Sequence, residues 1–209
     1  MMAAGYAVRL QTTGRLAEAW RYVGQLLEVL PGAYSFMSAS VISFWRAMDA
    51  TGDERRDRFR EQVDYFDQAW GAYRSLTSDE LADFDVRLFM SLCFDTVLAA
   101  LMQLGEYPRA VAVAGEAIAF QPDAPRPLTA RGILTYPSPA AVDDFRTAMA
   151  LPGADHVAPY HLAHHAFHSG NLAEAERLCR VALGMGGEVT YQSRVRIGSG
   201  ISETTPACW

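Results

Sequence analysis

Residues 91–124 contain two short apolar segments separated by a glycine, and this arrangement constrains the fold more than any other feature of the chain. The two apolar sets are Phe94, Val97, Leu98 and Leu101, and then Ala110, Val111, Ala114, Ala117 and Ile118. Spacings of three and four residues place each set on one face of an α-helix. Gly105 supplies the turn between the segments, and Pro122 ends the second because proline cannot continue a helix. The stretch is therefore predicted to form a helical hairpin.

This hairpin resembles a tetratricopeptide (TPR) repeat, which is a pair of helices of about 34 residues with small residues on the second helix and a closing proline. Leu98 stands where the family prefers a small residue. The second-helix pattern recurs three times, at Ala19, Val23, Leu26 and Pro31, at Ala141, Phe145, Ala148 and Pro152, and at Ala175, Cys179 and Ala182. The resemblance implies an all-α fold, a right-handed α-solenoid of TPR-like helical hairpins with about nine to ten helices.

The pattern divides the chain into a TPR-like helical repeat domain at 1–186 and an irregular, poorly structured tail at 187–209. Helices are expected at about 3–12, 16–30, 34–50, 54–76, 78–104 (with a break near residue 87), 140–150, 155–169 and 172–183. One repeat is irregular, because prolines crowd residues 125–139 and the helical stretch at 128–134 is too short for a full first helix.

Local signals mark several helix ends and one charged surface. Thr77 with Glu80 forms a predicted capping box, and Ser138 is a predicted N-cap. The run of charges at 53–61 is interpreted as a solvated face in which Glu54 and Arg58 pair at a spacing of four.

Charge and composition limit the classes of partner. The chain of 209 residues has a net charge of −6, so neither nucleic acid nor an anionic membrane is an expected partner. No charged leader and no run of about 20 apolar residues is evident, so we expect a cytoplasmic protein. All 18 basic residues are arginine, which favours a GC-rich bacterial source.

Catalysis is not expected from this sequence. Cys93, Cys179 and Cys208 lie far apart without a C-x-x-C pair, and two of them fall in apolar helical patterns that predict buried thiols. No strained turn or glycine-rich loop presents a nucleophile beside a histidine and a carboxylate. We therefore predict that the protein is not an enzyme.

All five histidines fall within residues 156–168. His161, His165 and His168 have the spacing i, i+4, i+7, and His164 and His168 are again four apart, which allows two imidazoles to share a metal ion. The helix lacks the H-E-x-x-H pattern of a zinc hydrolase. We predict no metal and no cofactor. Partner binding, metal or small-ligand binding, and ordinary surface or interhelix packing all stay open for this helix.

The resemblance implies a protein–protein interaction scaffold, because the first helices of TPR hairpins line a concave groove that binds a peptide or protein segment. The residues expected on the face of the first helices away from the second helices are Arg46, Asp49, Asp95, Ala99, Gln103, His161, His164 and His168. Exposed imidazoles there are expected to have pKa values near 6.5. The set lacks the basic pairs that hold a partner's terminal carboxylate in some relatives. The alternatives are a metal- or small-ligand-binding protein that uses the helix from His161 to His168, and the sensory or oligomerisation module of a bacterial regulator.

Overall fold

The computed structural model describes Leu10, residues 13–81 and residues 84–185, and within these residues it contains ten α-helices and no β-strand. The all-α prediction is therefore confirmed. The helix predicted at 3–12 lies outside the described residues except for Leu10. The tail predicted at 187–209 lies entirely outside them.

The chain forms two compact units, Met1–Val113 (unit 1) and Ala114–Trp209 (unit 2), and the boundary falls inside one helix. Unit 1 contains α1 (Leu16–Val29), α2 (Ala33–Asp49), α3 (Gly52–Tyr73), α4 (Ser78–Leu81) and α5 (Phe84–Leu104). Helix α6 (Tyr107–Phe120) crosses the boundary, and unit 2 continues with α7 (Pro125–Thr135), α8 (Pro139–Ala150), α9 (Val157–His168) and α10 (Leu172–Met185). We call α2, α5, α7 and α9 first helices, and we call α1, α3, α6, α8 and α10 second helices.

The sequence placed most helix ends within a few residues, but α7 is a correction. This helix has 11 residues and begins at Pro125, so the expected stretch at 128–134 was too short. Pro125 and Pro127 both lie in its first turn, where the backbone N–H groups have no partner within the helix and a proline therefore costs little. The break expected near Arg87 comes earlier, because α4 ends at Leu81 and α5 begins at Phe84.

The turn between α5 and α6 has the geometry that the sequence predicted for the hairpin. Gly105 has φ 77°, a left-handed conformation that favours glycine. Its N–H donates to the Met102 carbonyl at 3.2 Å, and the Glu106 N–H donates to the Leu101 carbonyl at 2.9 Å. These two bonds form a Schellman motif, which closes the end of α5 and reverses the chain.

The predicted caps and the charge pair are also present. The Thr77 N–H donates to Glu80 Oε2 at 2.8 Å, while the Ala141 N–H donates to Ser138 Oγ at 3.2 Å. Arg58 and Glu54 approach to 3.7 Å. Local sequence therefore defines the helix ends through short-range hydrogen bonds.

Helix α2 is the centre of unit 1, where it packs against α1, α3 and α5. Its buried residues include four serines. One of them, Ser38, donates a hydrogen bond from Oγ to the Tyr34 carbonyl at 2.8 Å. Gln62 of α3 is fully buried, and its Nε2 donates to Ser40 Oγ at 3.2 Å and to Thr96 Oγ1 at 3.4 Å. Unit 1 therefore has polar groups within its core, joined by hydrogen bonds.

Helix α5 raises the question of a membrane span. Residues Val86–Leu104 are long and apolar enough to cross a membrane by length and composition, contrary to the expectation from the sequence. In unit 1, however, α5 packs against α2 and α3, and half of that stretch is buried within the protein. This burial supports the interpretation of α5 as a core helix.

The core of unit 2 consists of alanines and larger aliphatic side chains around one buried aromatic ring. Phe145 of α8 is fully buried and lies against Gly132 of α7, where an added Cβ would come 2.6 Å from the ring. The imidazole of His161 stacks on Phe145 with centroids 4.9 Å apart and an angle of 5° between the rings. Arg131 joins α7 to α8 through two hydrogen bonds to Asp144, at 2.8 and 2.7 Å. The close approach at Gly132 fixes the spacing of these helices.

Candidate partner-binding surface

One side of α5 remains outside the core of unit 1 along most of the helix. We call it the α5 face and define it by Leu88, Leu92, Asp95, Ala99 and Gln103, which are partly or fully exposed. Successive spacings of four, three, four and four residues place these side chains on one side of the helix. The sequence analysis expected Asp95, Ala99 and Gln103 on such a face. It did not include Leu88, which is 57% exposed and lies seven residues before Asp95 on the same side, a spacing that was available in the sequence.

At its C-terminal end, the α5 face meets a depression of about 330 Å³ that Gln103 lines together with Arg55, Arg56 and Tyr107. Arg55 is already engaged there, because its Nε donates to the Ala50 carbonyl at 2.9 Å and its Nη2 donates to the Met48 carbonyl at 3.1 Å. Its guanidinium therefore satisfies carbonyls at the end of α2.

The structure corrects the expected placement of Arg46. Its guanidinium lies 3.9 Å from the centroid of the Trp20 ring on α1, and its Nη1 lies 3.2 Å from a carboxylate oxygen of Glu61 on α3. Both partners belong to second helices, so this side chain faces them and not away from them. Burial is the main cause of the lowered pKa of Arg46, and the Glu61 carboxylate opposes that shift. Asp49 at the end of α2 is exposed, as the prediction requires.

His161 is a second correction. Its ring packs on Phe145 of α8, which is a second helix, and this contact leaves the side chain only partly exposed. Burial lowers the pKa of His161 to about 4, with a smaller contribution from His164. The pKa near 6.5 expected from an exposed imidazole is therefore wrong for this residue, because desolvation disfavours the charged ring.

His164 and His168 are exposed and lie side by side on α9. Their Nε2 atoms are 3.0 Å apart, and their ring centroids are 4.3 Å apart. The pKa of His164 is lowered, mainly by burial and then by the charges of His168 and His165. The structure thus brings together the pair that the spacing of four residues predicted.

Tyr136 is a neighbour of this pair that the sequence did not reveal. It follows α7, and its hydroxyl lies 3.4 Å from Nδ1 of His164, 28 residues further along the chain. Its ring also makes edge contacts with those of His164 and His165, at centroid distances of 6.0 and 6.2 Å and angles of 64° and 87° between the rings. No local pattern could have indicated this contact, because it depends on how α7 and α9 lie within unit 2.

Cys93 is not placed to act as a nucleophile. Cys93 is fully buried, its Sγ contacts the Met37 carbonyl at 3.6 Å, and burial strongly raises the pKa of its thiol. A thiol in such a place is a poor nucleophile, because the reactive form is the thiolate. Cys179 is partly buried and Cys208 lies outside the described residues.

Comparison with known proteins gives the fold and no closer relationship. No protein-family model matches the sequence, and no curated protein is significantly similar to it. Among solved structures, YrrB, described as a TPR protein with an unusual peptide-binding site, aligns with a TM-score of 0.60 and 14% identity over 93% of this chain and 89% of its own.

Two further structures align less well. TTC0263, a thermophilic TPR protein of Thermus thermophilus, has a TM-score of 0.46 and 17% identity, over 93% of this chain and 94% of its own. Human IFIT1 in its dimer with PPP-AAAA has a TM-score of 0.42 and 16% identity, over 84% of this chain and 48% of its own. The alignment with YrrB shows that the described helices have a TPR-like fold.

Proposed function

We propose that this protein, whose helices have the TPR-like fold, is an interaction scaffold that holds a segment of a partner protein along the α5 face. The observation that carries the proposal is that α5, which packs against α2 and α3 in unit 1, keeps one continuous side partly or fully exposed, from Leu88 to Gln103. Side chains on such a face are accessible, at least in part, to a partner.

The length and chemistry of the α5 face define the class of segment. The 15 helical rises from Leu88 to Gln103 span about 22 Å, which matches about six or seven residues of extended peptide. Leu88 and Leu92 offer apolar contact, Asp95 adds a partly exposed negative charge, and Asp49 on α2 adds an exposed negative charge. The preferred segment is therefore an extended peptide with an apolar side chain and an arginine or lysine. The peptide-binding site in the description of YrrB supports this class of partner by analogy of fold.

A pair of matched variants tests the surface. Ala99 lies in the middle of the α5 face, and Ala112 is an exposed alanine on α6 in unit 1. Each is replaced by arginine, and a library of extended peptides is selected on the parent protein. Ala99→Arg is expected to lower the affinity for the selected peptides at least about tenfold, because it adds bulk and a like charge where a basic segment binds. Ala112→Arg is expected to change their affinity less than about twofold.

The outcome can contradict the proposal in two ways. Equal losses in the two variants would show that the peptides bind elsewhere or respond only to net charge. Selection of acidic peptides would show that Asp95 and Asp49 do not set the preference. Circular dichroism of both variants serves as the control for folding.

A further inference from the structure

The pair formed by His164 and His168 has a geometry that packing alone does not require. Both side chains are exposed, so neither needs the other to fill a core. Their Nε2 atoms nevertheless meet at 3.0 Å, and one turn of helix holds them together. The geometry points to a two-imidazole site for a divalent transition-metal ion, with Cu²⁺ preferred over Ni²⁺ and Ni²⁺ preferred over Zn²⁺.

The distance between the nitrogens decides which ions fit. Two imidazole nitrogens bound at about 2.1 Å lie about 3.0 Å apart when they occupy neighbouring positions of a square-planar or octahedral ion, and about 3.4 Å apart on a tetrahedral ion. The observed separation of 3.0 Å matches the first arrangement. Cu²⁺ adopts tetragonal geometry and Ni²⁺ octahedral geometry, and Cu²⁺ binds nitrogen ligands most strongly of the divalent first-row ions.

Tyr136 supplies a second feature of a ligand site. Its hydroxyl is 3.4 Å from Nδ1 of His164, so it can accept the proton of that nitrogen. This tautomer leaves the lone pair of His164 Nε2 free to face His168. Metal-bound histidines commonly donate their other ring nitrogen to such an acceptor, which orients the ring and raises its affinity for the metal.

The site is open to solvent and has two ligands among the residues that the structure describes. Across the described residues, no group of three histidine, cysteine, aspartate or glutamate side chains is placed to hold one ion. Water or a donor from another molecule would fill the remaining positions. Without metal, the same two nitrogens share a hydrogen bond, which a metal ion must replace, so binding is expected to be moderate and to require neutral imidazoles.

Titration with CuCl₂ and then NiCl₂ tests the site on the full chain. Electron paramagnetic resonance of the Cu²⁺ protein should show two coordinated imidazole nitrogens, and calorimetry should give one such ion per chain. His168→Ala should lower the affinity at least about tenfold, because it removes the second arm of the chelate. His165→Ala, an adjacent imidazole on the same helix, is the matched control and should change the affinity less than about twofold. Nickel repeats the measurement without oxidising the three cysteines of the chain.

The variant Tyr136→Phe tests whether Tyr136 orients the His164 ring for metal binding. This variant should lower the affinity for the ion about tenfold. Its spectrum should still show two coordinated nitrogens, because the substitution removes only the acceptor for His164 Nδ1. Three results would overturn the proposal. They are a spectrum with a single imidazole nitrogen in the parent, an equal loss in His165→Ala and His168→Ala, or binding by the parent no tighter than by His168→Ala.

Discussion

Helices α2 and α9 are both first helices, yet they present different surfaces. In α2, 11 of 17 residues are buried, whereas in α9 only 5 of 12 are buried. Helix α2 packs against α1, α3 and α5, while α9 packs mainly against α8 and α10. The position of a helix in its hairpin therefore does not establish that it has a face free for a partner. How much of the helix surface the neighbouring helices cover decides this.

Despite this difference, each of the two helices has one predicted residue that faces a second helix. Arg46 on α2 is drawn between Trp20 and Glu61, and His161 on α9 is covered by Phe145. Asp49, His164 and His168 remain exposed, and their role in binding stays a prediction.

The largest expected effect is the loss of packing in α2. Ile42 is fully buried in the middle of this helix, so Ile42→Ala should lower the free energy of unfolding by about 2–5 kcal/mol through lost burial and a residual cavity. On α9 the exposed His168 serves as the comparison, and His168→Ala should cost less than about 0.5 kcal/mol in the presence of a chelator. Chemical denaturation measures both. Similar losses at the two positions would show that α2 and α9 do not differ as described.

His161 is the exception on α9, and its stability effect should depend on pH. The pKa of about 4 in the folded protein is below the value of about 6.5 in the unfolded chain, so the unfolded state binds more protons between these values. The contribution of the neutral ring is therefore complete above pH 6.5 and is lost as the pH falls toward 4.

The free energy of unfolding of the parent should fall by about 2 kcal/mol more between pH 7 and pH 4.5 than that of His161→Phe, which keeps a ring against Phe145. Denaturation curves at the two pH values, recorded with a chelator, test this. A parallel decline of the parent and the variant would mean that the imidazole of His161 is solvated in the folded state.

A substitution at Gly132 tests the close contact between α7 and the Phe145 ring. A Cβ at this position would lie 2.6 Å from Phe145, which is fully buried and also stacks against His161, so the ring has little room to move. Gly132→Ala should therefore cost about 1–2 kcal/mol, after subtraction of the better helix propensity of alanine. In the same unit, Gly115→Ala on α6 meets no atom within 4 Å and should be neutral or slightly stabilising. A stabilising effect of Gly132→Ala would contradict the assigned contact.

The sequence predicted features that depend on neighbouring residues. Helical periodicity, the turn at Gly105, and the caps at Thr77 and Ser138 need only residues within a few positions of one another. It could not predict which side of α2 is covered, because that depends on three other helices. The contact of Tyr136 with His164 spans 28 residues, and no periodicity within α9 reports it. Pro125 and Pro127 misled the assignment of α7, because prolines that interrupt a helix are accepted in its first turn.

The smallest expected effect concerns the polar groups buried beside α2. Gln62 is fully buried, and its Oε1 accepts no hydrogen bond from any residue that the structure describes, although its Nε2 donates to Ser40 and Thr96. Both hydroxyls keep acceptors of their own, the Gln62 and Cys93 carbonyls, when the amide is removed. Gln62→Met conserves volume and removes a desolvated oxygen, so the free energy of unfolding should change by less than about 1 kcal/mol and can increase. The shift of the denaturation midpoint at constant slope measures this change, and a loss above about 2 kcal/mol would show that Oε1 is engaged in the folded protein. In that case the polar groups around α2 would stabilise unit 1 as strongly as its apolar contacts, and the contrast with α9 would rest on hydrogen bonding as well as on burial.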